Sequence, residues 1–167
     1  MKKEQRPEIA LNLSPFDWFL EGIAAAGMIL LLLLPAVYYT ELPDTIPQHF
    51  NARGEADGFG PKITLWILPI LGVALYTLLT ILVRFPHTFN YSAQITSENA
   101  EQQYRLATQM VRVLKVLIVG LFAYLIQGII RVATAQTAAL DERMMWFFVG
   151  TILITVGGYA ILSYRKR

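Results

Sequence analysis

The sequence predicts an all-α integral membrane protein: four transmembrane helices in an up-down bundle, with one structured extracytoplasmic loop. Three observations carry this. Of the 167 residues 55% are hydrophobic and only 16% charged, where soluble domains carry about 25% charge, and the mean hydropathy is +0.47. Four apolar runs, at about 16–39, 63–85, 111–133 and 144–164, each approach the ~20 helical residues that a ~30 Å bilayer core requires. Between the first two lies a polar, turn-rich stretch, Leu42 to Lys62, which holds three of the eight prolines and a cluster of Gly54, Asp57, Gly58 and Gly60. The whole chain, 1–167, reads as a single membrane domain.

Residues 1–14 form a polar tail with Lys2, Lys3 and Arg6. The first span contains no charge between Ile23 and Val37. Basic residues before an apolar run also describe a signal peptide, but this run is too long. Tyr38-Tyr39-Thr40-Glu41 is a poor small-residue cleavage site, so an uncleaved span is expected. After the loop, Gly60-Pro61 suits a helix start with proline at the first helical position, and Pro69 is expected to bend the second span.

Residues 86–110 are polar. Thr96 or Ser97 is expected to cap one long helix running from about 97 to 133, with acidic residues in its first turn. Leu106, Met110, Val113 and Leu117 form its apolar stripe, opposite Glu98, Gln102, Arg105, Gln109 and Arg112. Arg112 and Lys115 are expected to snorkel to the headgroups. A short polar turn, 134–143, leads to the fourth span and the terminal Arg165-Lys166-Arg167.

Basic residues set the orientation. Three lie in the N-terminal tail, three in the C-terminal tail and four (Arg84, Arg105, Arg112, Lys115) around the middle loop. The other side holds four: Arg53, Lys62, Arg131 and Arg143. Ten against four predicts cytoplasmic termini, a cytoplasmic loop at 86–110 and an outward loop at 40–62. Trp18 and Tyr164 then lie at the inner interface, and Trp66 and Trp146 at the outer one.

The absence of cysteine removes disulfides, thiolate metal sites and cysteine nucleophiles. The net charge of +2 is too small to suggest nucleic acid. No nucleophile–base motif, phosphate loop or metalloprotease motif occurs, so the expectation is a non-enzyme with no catalytic residue, cofactor or metal.

The candidate ligand-binding or loop-motif residues are Pro43, Asp44, Pro47, His49, Phe50, Asn51, Gly54, Glu55, Asp57 and Lys62. A metal reading has one histidine and scattered carboxylates. An architectural reading has prolines favouring extended backbone, Gly54 and Gly58 allowing positive φ, and His49 or Asp57 bonding the turns. Direct ligand contact is the third reading, and the loop's net charge of −2 over 40–62 favours a cationic ligand.

Glu21, a turn from Asp17, is an intramembrane carboxylate and a functional candidate by default. Gln127 and Arg131 are expected to face the bundle or the outer headgroups in a polar packing role. His87 is expected to be solvated. Small residues on span one (Gly22, Ala26, Gly27) and span four (Gly150, Gly157, Gly158) suit close helix contact, including a homo-oligomer.

The pattern Leu42-Pro43, Ile46-Pro47, His49-Phe50-Asn51, Gly54, Asp57 and Lys62, set between two spans, resembles the N-terminal membrane domain of SdpI-type proteins. The segments Phe89-Asn90-Tyr91 and Ile95-Thr96 through Arg105 resemble the stretch next along the chain in those proteins. That domain's molecular function is unknown. The resemblance implies a bacterial inner-membrane protein. By analogy with one member, it also implies immunity to a secreted toxic peptide on the outer face and capture of a regulator on the cytoplasmic face. The chain is shorter than that member, with fewer spans.

The reading is therefore a membrane binding or sensing protein, acting in immunity to or signalling from a toxic or antimicrobial peptide. The alternatives are a small transporter or accessory subunit using Glu21 and the loop carboxylates, and a metal-dependent membrane enzyme at His49.

Overall fold

The computed structural model describes residues 6–165. Lys2, Lys3, Lys166 and Arg167, four of the basic residues used for orientation, lie outside them. Four helices are long and apolar enough to cross a membrane. Helix α1 spans Pro15–Tyr38, α2 Ile67–Leu82, α3 Ala100–Ala133 and α4 Glu142–Arg165. The all-α four-span architecture therefore stands, with one addition: a two-stranded antiparallel sheet, β1 (Thr45–Phe50) and β2 (Ala56–Pro61), in the first loop.

Helix α1 starts at a capping box. The Ser14 hydroxyl accepts from the Asp17 amide, and the Asp17 carboxylate accepts from the Ser14 amide at 2.8 Å. Pro15 supplies the preset φ of a first helical residue. The start of span two differs from expectation. Pro61 ends β2 and caps a 3-10 turn, Lys62–Trp66, before α2 begins. Pro69 consequently falls in the first turn of α2, where its missing N–H leaves no bond broken, instead of bending the helix interior.

The start of α3 also differs. Asn99 occupies the cap position without a side-chain bond to the helix. Thr96 and Asn99 instead bond each other reciprocally, the Thr96 amide to Asn99 Oδ1 at 2.9 Å and the Asn99 amide to Thr96 Oγ1 at 3.4 Å.

Helix α3, 34 residues long and therefore ~51 Å, is the axis of the bundle and packs against α1, α2 and α4. Its interior face differs from the expected stripe. Tyr104, Ala107, Thr108, Val111, Arg112 and Lys115 are buried, whereas of the expected stripe Leu117 is buried and Leu106, Met110 and Val113 are only half-buried. Between membrane helices the lipid is as apolar as leucine, so the largest apolar side chains are not driven inward. Small and polar residues fill the seam. Gly27 of α1 meets Val119 of α3 in this way, and Ser163 of α4 donates to Gln103 of α3 at 2.7 Å.

Two clusters close the ends. Leu42 and Ile46 from the hairpin region join Leu31, Leu65, Ile126 and Ile130, so the sheet is seated on the helices. At the tail end Tyr91, Ala100, Tyr104 and Ala107 pack with Ile9 and Leu11. The segment before α1 is tied down there: Arg6 donates to the carbonyls of His87 and Phe89, and Tyr104 donates to that of Pro7. His87, expected in solvent, is half-buried, with Nε2 3.9 Å from Glu8.

The hairpin turn depends on Gly54, at φ 77°. A β-carbon there would collide with the Leu140 carbonyl, and Leu140 N–H donates to the Gly54 carbonyl at 2.8 Å. The α3–α4 connection thus clasps the hairpin tip, with the Leu140 side chain seated on Gly128. Gly58, expected to share the positive φ, lies instead in the strand opposite His49, where a β-carbon would approach His49 Cβ to 3.0 Å.

Gly54→Val should lower folded yield and thermal stability in detergent, since left-handed strain alone costs about 1–3 kcal/mol. His49→Ala, on the exposed face, should lower them less. Equal melting of Gly54→Val and the parent would show that the clasp is not needed.

Candidate functional site

The densest chemistry lies where α1, α2 and α3 meet near the tail end. Asp17 and Glu21 are four residues apart and share one face of α1, and Arg112 and Lys115, three apart, share one face of α3. Lys115 Nζ donates to Glu21 Oε2 at 2.6 Å and to Thr80 Oγ1 of α2 at 2.9 Å, and lies 4.7 Å from the Tyr76 ring centre. Arg112 Nη1 is 3.5 Å from Asp17 Oδ1, and its Nε is 3.2 Å from Glu21 Oε1.

Lys115 is 1% exposed, Asp17 2% and Arg112 7%. The expected snorkelling of Arg112 and Lys115 is therefore overturned: opposite charges in reach made inward pairing the better solution. The Arg112–Asp17–Glu21 contacts are ion pairs by distance. Asp17 Oδ1 and Arg112 Nε nevertheless lack a hydrogen-bond partner in correct alignment.

A cavity of about 520 Å³ reaches this cluster. Glu21, Thr80, Arg84 and Arg112 supply its polar wall, and Leu13 and Trp18 part of its apolar one.

The loop residues are brought together in a different way. Lys62 binds Asp44 at 3.2 Å and the Leu42 carbonyl at 3.3 Å, its Nζ over the Tyr39 ring. His49 Nδ1 lies 2.5 Å from Asp57 Oδ1 across the sheet. Asn51 folds the tip: its Oδ1 accepts from the amides of Arg53 and Glu55, and its Nδ2 donates to Glu55 Oε2. That bond, with the Arg53 guanidinium next, holds the Glu55 carboxyl below its usual range.

Each of Asp44, Glu55 and Asp57 therefore has a partner within the hairpin, and all three are exposed. Pro47 and Phe50 line an apolar hollow of about 390 Å³ against Leu65, Leu68, Leu125 and Ile129. Pro43 is exposed in the lead-in to β1. Gln127 and Arg131 are also exposed, bordering a 270 Å³ hollow with Leu34 and Tyr38. Among the described residues no group of three or more His, Asp or Glu converges as a metal would need.

Sequence reasoning singles out Glu21 but not its partners. The spacing signal is present in both helices. The missing piece is that spans one and three are neighbours, which no local pattern records.

Residues 26–73 match a family described as a domain of unknown function, DUF1648. An uncharacterized protein of Archaeoglobus fulgidus is 39% identical over 75 residues, which cover 40% of this chain and 41% of that protein. The chain thus spans less than half of that relative's length. No solved structure matches. The matched family segment contains the hairpin and the helix halves that carry it, and excludes all four residues of the ion cluster.

Lys115 is buried with Glu21 as its carboxylate, so removing Glu21 leaves an uncompensated charge, whereas Glu21 keeps Arg112 when Lys115 is removed. Glu21→Gln should cost about 3–5 kcal/mol in folding stability, and Lys115→Gln less. The double variant should cost clearly less than the two together, as a double-mutant cycle by thermal or denaturant unfolding will read. Strict additivity would show that the two side chains are not coupled.

Proposed function

We propose that this protein is a non-enzymatic membrane receptor. It would recognise a cationic, amphipathic peptide at its hairpin, in a role of immunity or signalling, in the inner membrane of a bacterium. The observation that carries the reading is the composition of the hairpin surface. The hairpin carries three exposed carboxylates and exposed Phe59, Ile63 follows it, also exposed, and Pro47 and Phe50 line an apolar hollow. Exposed ion pairs are worth only about 0–1 kcal/mol, so Asp44, Glu55 and Asp57 can exchange their internal partners for a ligand with several positive charges. The apolar rim would receive the ligand's other face.

The clasp by Leu140 supports recognition by a preformed surface, with little ordering cost on binding. Glu21 already meets two cations, which favours a helix-joining role over the ion-carrying role of a transporter.

In the proposed orientation, set by the basic-residue bias, the hairpin faces outward and both termini face the cytoplasm. A cytoplasmic regulator would then meet the exposed start of α3. Glu98 and Gln102 line a polar hollow of about 620 Å³ there.

Single cysteines test the orientation, since the native chain has none. Ala52 and Gln94 are both exposed, whereas the neighbouring Ala93 is buried. An impermeant thiol reagent should label A52C and spare Q94C in whole cells. The reverse would overturn the orientation.

Peptide recognition is tested by survival of a sensitive bacterium expressing the protein, against a panel of cationic amphipathic peptides. The triple variant Asp44→Asn, Glu55→Gln, Asp57→Asn should lose protection. Raised salt should weaken protection by the parent, because exposed charges are screened over ~8–10 Å. Equal killing with and without the parent protein would sink the immunity reading.

A further inference from the structure

The cavity at the ion cluster has no part in the receptor reading. Its charges do not balance. Asp17 and Glu21 face Arg112 and Lys115, and Arg84 stands on the same cavity wall with no ion pair of its own among the described residues. Three cations against two carboxylates leave one positive charge.

Arg112 is more than nine-tenths buried and lines the cavity, and its Nε–H lacks an aligned acceptor. Glu21 Oε1, 3.2 Å from that nitrogen, pairs with it in charge but is out of line with the N–H, and a buried charged donor without an aligned hydrogen bond costs stability. Glu21 is six residues into α1, about 9 Å along the axis from its first residue, so the cluster lies near one end of a candidate span. The remaining wall, including Leu13, Trp18 and Val83, is apolar, and Leu13 and Trp18 are exposed.

We propose that this cavity binds the phosphate group of an anionic phospholipid, with the phosphate between Arg84 and Arg112 and the acyl chains along Trp18 and Val83. A phosphodiester carries the one negative charge that the cluster lacks. Its oxygens are the acceptors that guanidinium groups bind most strongly. Free phosphate shares that chemistry but would leave the apolar wall uncovered.

The test uses the full chain in neutral detergent, with Trp66→Phe and Trp146→Phe leaving Trp18 as the reporter. Phosphatidylglycerol with brominated chains should quench Trp18 saturably, near one lipid per chain. Phosphatidylcholine with the same chains should quench weakly and without saturation. Arg84→Gln should weaken phosphatidylglycerol binding about tenfold, as loss of one charge-assisted hydrogen bond predicts, while Arg84→Lys restores part of it and Arg143→Gln at the hairpin end has no effect.

Inorganic phosphate in excess should leave the quenching in place. Displacement by phosphate would assign the site to a free anion and overturn the lipid. Equal quenching by both lipids, or no effect of Arg84→Gln, would overturn the site. Arg84 is exposed and makes no ion pair among the described residues, so its variants should fold, and peptide protection is read separately at the hairpin.

Discussion

A lysine ammonium almost wholly buried between apolar helices must be neutralised where it sits, because the desolvation of a lone charge costs several kcal/mol. Lys115 meets that requirement with Glu21, Thr80 and the Tyr76 ring, one partner from α1 and two from α2. Arg112, one turn earlier, reaches Asp17 and Glu21. The positions of three helices at the tail end are therefore coupled through two residues of α3. Asp17 also completes the capping box of α1, so the start of that helix and its attachment to α3 share one carboxylate.

Much of this fold is legible in the sequence because the bilayer limits the options to whole spans of adequate length. The four runs and the exceptional first loop derive from that limit. The sheet is not legible. Prolines at 43, 47 and 61 and glycines at 54, 58 and 60 argue against a strand taken singly. The pairing is possible because Gly58 and Gly60 stand opposite His49 and Ile46, a relation that exists only once the turn at Asn51 has formed. Each segment alone has poor strand propensity, and the partner strand overrides it.

The shifted face of α3 has a different cause. In water the whole stripe Leu106, Met110, Val113 and Leu117 would mark the core, whereas here only Leu117 of the four is buried. In lipid, close packing selects Ala107 and Val111, and electrostatics selects Arg112 and Lys115. The polar residues expected on a solvated stripe are in part the seam itself. Glu98, just before α3, and Gln102, in its first turn, remain exposed.

The two candidate sites differ in how they hold charge, and this separates their roles. The hairpin acids are exposed, paired one to one, and cheap to re-pair, which suits a surface that exchanges partners. The tail-end charges are buried and shared among three helices, which suits fixed architecture. The similarity to a domain of unknown function covers 26–73 and therefore the hairpin with its acids. Leu140, from the opposite end of the sequence, closes that support by filling the space over Gly128 and bonding Gly54. The second half of the chain thus fixes the shape of the hairpin, although it contributes none of the hairpin's acids.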